Sequence, residues 1–271
     1  MADRSAARRD SRRYLAGVAA LAAVLLLGAV HALEAQGVLD ALRRGVEVQA
    51  AFRRGKALYD ARDYRGARDR LAEAVTLDPG HDEARALLGW SQYFLGEHRA
   101  AIVTFKTALR RQPEWDGLLD GLGWSRLRLA RYHLAVEAFR AALEKNPENT
   151  DALIGLGSAR FELGEYETAL NPLRDAARRL GPLAGAEPSE LATVRAKLAW
   201  SLYYLDRFDE ALGLFEQGIR MNPDLHGLHN GAGWCYLRLG RKPQARAAFQ
   251  RALALRPDYQ DAVEGLRQLG G

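Results

Sequence analysis

A chain of 271 residues with 48% apolar and 27% charged side chains has the composition of one or two globular domains and contains no disordered block. Its net charge of +5 rests on 39 Lys and Arg against 34 Asp and Glu, and all but five of the cations are Arg, a skew that reflects genome composition before it points to any partner. The single cysteine, Cys235, excludes an intramolecular disulfide and a Cys-based metal knuckle, and leaves the redox compartment open.

Residues 1–13 form a basic tail, with Arg4, Arg8, Arg9, Arg12 and Arg13 against Asp3 and Asp10. They lead into residues 14–33, twenty positions without Asp, Glu, Lys or Arg, enough for a helix that crosses the hydrocarbon of a bilayer. Val30-His31-Ala32 has the small-residue form of a cleavage site, so a cleaved secretory signal is the competing reading. The apolar stretch, however, exceeds the roughly 7 to 15 residues of a signal core, which favours an uncleaved signal-anchor. No cysteine follows the run, which excludes a lipoprotein, and Ser11-Arg12-Arg13 resembles a twin-arginine signal only faintly. Five arginines precede the span, whereas Arg43, Arg44 and Arg53 beyond it are interleaved with Glu34, Asp40 and Glu47. The positive-inside bias then places the N-terminus in the cytoplasm and the rest of a single-pass inner-membrane protein in the periplasm, if the source is a bacterium. Residues 34–47 carry Val38, Leu39 and Leu42 at helical spacing and are expected to form a juxtamembrane helical linker, a surface-lying amphipathic helix being the alternative.

From residue 48 onward the chain repeats itself. The clearest copy runs from Asp116 to Pro147, where Leu119, Leu122 and Arg126 stand at i, i+3 and i+7 and Ala135, Ala138, Phe139 and Ala142 continue the helical spacing after Tyr132. Such a hairpin of two short helices cannot bury its apolar faces alone and calls for stacked copies. Helix-ending prolines stand at Pro79, Pro113, Pro147, Pro223 and Pro257, spaced by 34, 34, 76 and 34, and 76 is two periods plus eight residues. Ala67, Ala101, Ala135, Ala169, Ala211 and Ala245 give the same count, six repeats, starting near 48, 82, 116, 150, 192 and 226.

Five of the six first helices carry a small-residue pair: Leu88-Gly89, Leu122-Gly123, Leu156-Gly157, Leu198-Ala199 and Ala232-Gly233. Each second helix carries a large residue (Leu71, Phe105, Phe139, Leu173, Phe215, Phe249) followed by a small one (Ala74, Ala108, Ala142, Ala176, Gly218, Ala252). Glycine or alanine at a crossing lets two backbones approach, and the large side chain fills the remaining gap. With its period of 34 and closing proline, this pattern resembles the tetratricopeptide repeat family. The resemblance implies an all-α, right-handed α-solenoid of six helical hairpins over residues 48–258, with residues 259–271 as a capping helix.

Three departures from the pattern stand out. Arg53, Arg54 and Lys56 occupy positions that are apolar in later repeats, as suits a terminal unit with a solvated face. The fourth repeat has Gly181 in place of its closing proline, and residues 181–188 read as an eight-residue surface loop ending before Ser189 as a helix N-cap, a loop whose functional alternative is a partner contact. Pro172 falls early enough in its helix to bend rather than break it.

No residue constellation supports catalysis. His226 and His229 at i, i+3 are the sole metal-ligand types at close spacing, and no Cys or carboxylate helix accompanies them, so they read as polar residues at a helix start. Gly155-Leu156-Gly157 lacks the Lys-Ser/Thr pair of a phosphate loop and recurs with the period, which marks a packing motif. No cofactor and no metal are expected, and the chain reads as a non-enzyme.

Trp90, Trp124, Trp200 and Trp234 each follow the small-residue pair, about 200° around the helix from its first member. The family resemblance implies that this position and its neighbours face the concave groove where such solenoids hold ligands. Carried over, it gives Ala86, Trp90, Tyr93 and Phe94; Asp120, Trp124, Leu127 and Arg128; Ile154, Ser158, Phe161 and Glu162; Ala196, Trp200, Tyr203 and Tyr204; Asn230, Trp234, Leu237 and Arg238. Packing of the tryptophans between neighbouring first helices is the other reading, and a ring with one buried face satisfies both. The combined Lys, Arg and Asn set by which the basic carboxylate-clamp subtype holds a peptide's C-terminal carboxylate is not present. The arginines concentrate on second helices (Arg65, Arg68, Arg110, Arg111, Arg140, Arg178, Arg179, Arg246, Arg251), as on a solvated outer face, which disfavours nucleic acid. The expected partner is a protein, from the membrane or envelope, and not a small molecule. The chain thus reads as a membrane-anchored scaffold in assembly, quality control or stabilisation of an envelope complex. A permanent structural subunit and a metal-binding enzyme accessory using His226 and His229 are the alternatives.

Overall fold

The computed structural model describes residues 36–181 and 188–270, the side chains of 188 and 189 apart. The predicted tail 1–13, span 14–33 and most of the 181–188 loop lie outside the described residues. Among the described residues every regular element is helical, and no helix is long and apolar enough to cross a membrane. The chain divides into two compact units, one ending at Ala84 and one beginning at Arg85, inside the third helix.

In the first unit, α1 (36–60) is one uninterrupted helix through the expected linker and into the first repeat, followed by α2 (Tyr64–Leu77). Val48, Ala51, Ala67, Leu71 and Ala74 are buried, and a side chain on Gly55 would meet Leu71 Cγ at 2.8 Å, so that α1 and α2 pack at close range. Arg53, Arg54 and Lys56 are exposed, as the terminal-unit reading expects.

The second unit is an α-helical solenoid. After α3 (Asp82–Phe94), which spans the boundary, come α4 (His98–Leu109), α5 (Asp116–Arg128), α6 (Tyr132–Lys145), α7 (Thr150–Glu162), α8 (Tyr166–Leu180), α9 (Pro188–Tyr204), α10 (Phe208–Met221), α11 (His226–Arg238), α12 (Lys242–Leu255) and α13 (Gln260–Gly270). From α4 on, each helix packs on the next, and the first helices α5, α7, α9, α11 and α13 also touch in sequence. Pro172 sits buried inside an unbroken α8; the Thr168 carbonyl that its missing N–H leaves without a helical donor accepts from Arg160 Nη1 at 2.7 Å.

Local chemistry sets the hairpins. The connection inside every repeat places one residue at positive φ: Arg62, Gly96, Ala130, Gly164, Asp206 and Gly240. The amides that follow close a Schellman motif, as when Gly96 N–H donates to Tyr93 O at 3.0 Å and Glu97 N–H to Gln92 O at 2.8 Å. Helices α2, α6, α10 and α12 stop because the residue before the periodic proline is driven out of the helical region; Asp78, Asn146, Asn222 and Arg256 all close on the carbonyl four residues back.

The periodic glycines and the large second-helix residue form one device. Phe105, Phe139, Phe215 and Phe249 have no exposed surface. A Cβ on Gly89, Gly123 or Gly233 would lie 2.7 Å from the ring of its own repeat. A Cβ on Gly121, Gly155, Gly231 or Gly265 would press still closer on the ring of the preceding repeat. Phe105, Phe139 and Phe249 are therefore each gripped by two glycines, one on either side of the repeat junction, and Phe215 by Gly231 alone, its own repeat carrying Ala199 in the other place. Where the second glycine is replaced, at Lys197, the preceding repeat carries Leu173 rather than Phe.

One expectation is corrected. Helix α9 begins at Pro188 and has 17 residues, against 13 for α5, α7 and α11, so Ser189 lies inside the helix and is not its N-cap. Proline, with its preset φ and no N–H to satisfy, starts the helix one turn early.

Candidate partner-binding face

The first helices carry the predicted contact residues, and the four tryptophans do two things at once. Each indole stands edge-on to the buried Phe of its own repeat, Trp90 on Phe105 at 5.4 Å and Trp124, Trp200 and Trp234 on Phe139, Phe215 and Phe249 at 5.3 Å. All four remain half-buried, with one part of the ring open. They are pillars of the core that also contribute surface.

Two repeats build matching aromatic triads on this footing. In α3 Trp90 lies 5.6 Å from Tyr93 and 6.1 Å from Phe94, and in α9 Trp200 lies 5.3 Å from Tyr203 and 6.0 Å from Tyr204, with similar interplanar angles. The outermost ring of each is largely exposed, Phe94 at 47% and Tyr204 at 51%. The arginine at the corresponding place in the next repeat leans back on each triad. Arg128 Nε–H donates to Tyr93 Oη at 3.3 Å, and the Arg238 guanidinium lies 5.9 Å from the Tyr203 ring and 4.5 Å from that of Phe208. Around Tyr204 the aromatic surface spreads further: Tyr166 stacks on it at 4.5 Å, Phe161 lies 6.2 Å away, and Lys197 Nζ stands 5.3 Å over Phe161 while facing Glu162. Burial raises the phenol pKa of Tyr203 and Tyr204, so both hydroxyls stay protonated and available as donors.

Not all predicted residues are reachable. Ala86, Ile154, Ser158, Asp120 and Asn230 are buried and form the wall behind the face, whereas Leu127, Leu237, Phe161 and Ala196 are half-buried and Arg128, Glu162 and Arg238 exposed. Asp120, 5% exposed, accepts from Asn149 Nδ2 at 2.6 Å; the same amide reaches Asp116 at 3.1 Å, and Asn146 Nδ2 donates to Asp116 at 2.8 Å. Burial, seconded by Asp151 and Asp116 and opposed by the Asn149 hydrogen bond, pushes the Asp120 carboxyl up to about 7. In the last repeat Asn230 Nδ2 donates to Asp261 at 2.5 Å, an acid that also accepts from Trp234 Nε1 at 3.2 Å. Sequence reasoning missed Tyr166, Phe208 and Lys197. A signal was present, since Tyr64, Tyr132, Tyr166 and Phe208 all open second helices at the repeat period.

The remaining candidates have structural partners. The His226 ring meets Tyr259 edge-on at 4.7 Å, and His229 Nε2 bonds the Pro223 carbonyl at 2.8 Å; among the described residues no group of three metal-ligating side chains forms. Cys235 is fully buried and its thiol pushed up to about 12, so it is no nucleophile. Second-helix cations meet the acid after the preceding repeat's proline: Lys145 with Glu114 at 2.7 Å, Arg179 with Glu148, and Arg251 with Asp224 at 3.2 Å. Such exposed pairs add little to stability, because solvent screens them and ordering the long side chains opposes them.

Comparison with known proteins gives one family. Tetratricopeptide repeat models match residues 58–122, 121–185 and 196–260. Among curated proteins, protein arginine N-methyltransferase 9 of Mus musculus is 35% identical over 68 residues, which is 25% of this chain and 8% of that protein. Among solved structures, the Cut9–Hcn1 hetero-tetramer of the APC/C matches with a TM-score of 0.69 at 22% identity, over 85% of this chain and 44% of that one. YrrB, described as a TPR protein with an unusual peptide-binding site, matches at 0.61 and 19% identity over 73% and 97%. MamA AMB-1 matches at 0.56 and 21% identity over 64% and 98%. At these identities the structures show a shared fold.

Proposed function

Because this chain belongs to the tetratricopeptide repeat family, a fold that serves as a protein-interaction scaffold, we propose that it captures a protein segment on the first-helix face, with Phe94 and Tyr204 as outermost contacts. The observation that carries the reading is the duplicated triad. Trp90–Tyr93–Phe94 and Trp200–Tyr203–Tyr204 have the same geometry, each is braced from below by a buried Phe and from the side by an arginine, and each leaves one ring in solvent. Rigid aromatic anchors of this kind contribute most of the energy of a typical interface, because they bury large area at small entropic cost. A peptide is the favoured ligand class, consistent with the description of YrrB.

The uncharged run 14–33 and the arginines before it support anchoring in a membrane with the repeats on the far side from the cytoplasm, and hence a role in assembling or stabilising an envelope complex. Purification of the chain from its native membranes, beside Phe94→Ala and Tyr204→Ala variants, tests the reading. Co-purifying protein should be present with the parent and depleted at least tenfold with the variants; equal recovery from all three would refute it. Protease added to spheroplasts should digest the repeats, and full protection would refute the orientation.

A further inference from the structure

Helix α1 has two apolar faces, and the body covers only one. Val48, Ala51 and Gly55 turn toward α2, whereas Val38, Leu39, Leu42 and Val46 lie on a separate stripe, from 54% to 71% exposed. All of residues 36–47 are exposed, three turns of helix without cover. Four large apolar side chains exposed along one stripe form a patch of the kind that marks a contact surface.

We infer that the α1 stripe is a pairing surface for a second copy of this chain, forming a short parallel two-helix seam. Three observations favour that occupant over a bilayer surface. Leu39, Leu42, Val46 and Gln49 follow a 3-4-3 spacing, the a/d repeat of a self-complementary seam, and space is open above Gly45, which lets the two backbones approach. The charges of this stretch, Asp40, Arg43, Arg44 and Glu47, cancel and stand at i, i+4 spacings for pairing along the helix away from the stripe, while an interfacial helix is rich in cations on that face. The stripe also has no Trp or Tyr, the residues that seat a helix among headgroups. The thirty-five residues before α1 include the uncharged run 14–33. The parallel orientation rests on the membrane reading above, because two copies inserted in the same sense present identical stripes in register; the pairing itself does not depend on that reading or on the aromatic face.

The experiment uses the full chain in mild detergent. Leu39→Cys, Leu42→Cys and Val46→Cys should each form a disulfide-linked dimer on gentle oxidation, at least fivefold more than Arg44→Cys on the opposite face; native Cys235 is buried and silent. Leu42→Asp combined with Val46→Asp should halve the light-scattering mass and leave the melting of the repeats unchanged. A single-chain mass for the parent would overturn the inference, as would equal cross-linking of stripe and Arg44 positions. In vesicles, quenching by nitroxide lipid of a probe attached to the thiol of the Leu42→Cys variant, without cross-linking, would show the bilayer as occupant and overturn it too. Partner depletion by Tyr204→Ala is read separately, so failure of one proposal leaves the other standing.

Discussion

The grip of two glycines on one ring predicts a specific compensation. A methyl group at Gly155 would press on Cε1 and Cζ of Phe139, and the ring has no exit: Gly123 closes the other side and Trp124 stands edge-on at 5.3 Å. Overpacking of this kind costs about 3 kcal/mol, offset by about 1 kcal/mol from the better helix propensity of alanine. Gly155→Ala should therefore lose about 2 kcal/mol. Phe139→Leu alone leaves a void beside two glycines and should lose about 1 to 2 kcal/mol. Independent effects would sum to about 3 to 4 kcal/mol in the double variant. Leucine, however, clears the space the methyl group needs, and the chain itself makes that exchange where Leu173 precedes the junction with Lys197 in the glycine's place. The double variant should fall within about 1 kcal/mol of the parent, a coupling of about 2 to 3 kcal/mol in a double-mutant cycle. At roughly 2 to 4 °C per kcal/mol for a domain of this size, calorimetry resolves the difference. Melting of the double variant at the temperature given by simple addition would refute the clamp.

Three further outcomes follow from named residues. Ala130 occupies at φ 55° the turn position held by Gly96, Gly164 and Gly240 elsewhere, so Ala130→Gly should raise stability by about 0.5 to 1 kcal/mol in thermal melts, and Gly164→Ala should lower it by a similar amount. Burial pushes the Asp120 carboxyl up to about 7 in the fold from 3.8; the folded state holds its proton longer, so the contribution of this group to stability is full below pH 4 and is lost, by about 4 kcal/mol, between pH 4 and 7. Asp120→Asn should remove that slope between pH 4 and 7 in denaturant titrations, and an unchanged slope would refute the assignment. Trp200→Ala, which strips the pillar from Phe215, should cost about 2 to 3 kcal/mol of stability, whereas Tyr204→Ala should cost under about 1 kcal/mol yet weaken partner capture roughly thirtyfold.

The period, the number of hairpins and the packing role of the Gly-x-Gly pairs were legible in the sequence because each is a property of a residue and its copies 34 positions away. What one helix wheel cannot contain is the partner helix. Trp124 lies about 200° from Leu122, which correctly separates it from the Leu stripe, but the wheel is silent on Phe139, which meets the indole from the second helix. The same limit hid the burial of Asp120 and Asn230. By position they belong to the contact face, and only the asparagine of the next repeat, or the acid of the capping helix, shows that they lie behind it.

The start of α9 was misplaced for a local reason, since proline before serine reads equally as loop end and as helix start, and the extra turn decides for the second. The interior, then, follows from periodic spacing, while the exposed surface follows from departures from it. Phe94 and Tyr204 protrude where other repeats carry Asp, Arg or Glu, and Lys197 and Leu173 break the glycine–phenylalanine rule beside the larger aromatic patch. The fifth repeat combines the altered junction, the lengthened first helix and the most extended aromatic surface. Lys197, in the glycine's place at that junction, stands with Nζ 5.3 Å over Phe161, so the residue that departs from the packing rule also adds a cation to the edge of the proposed contact face.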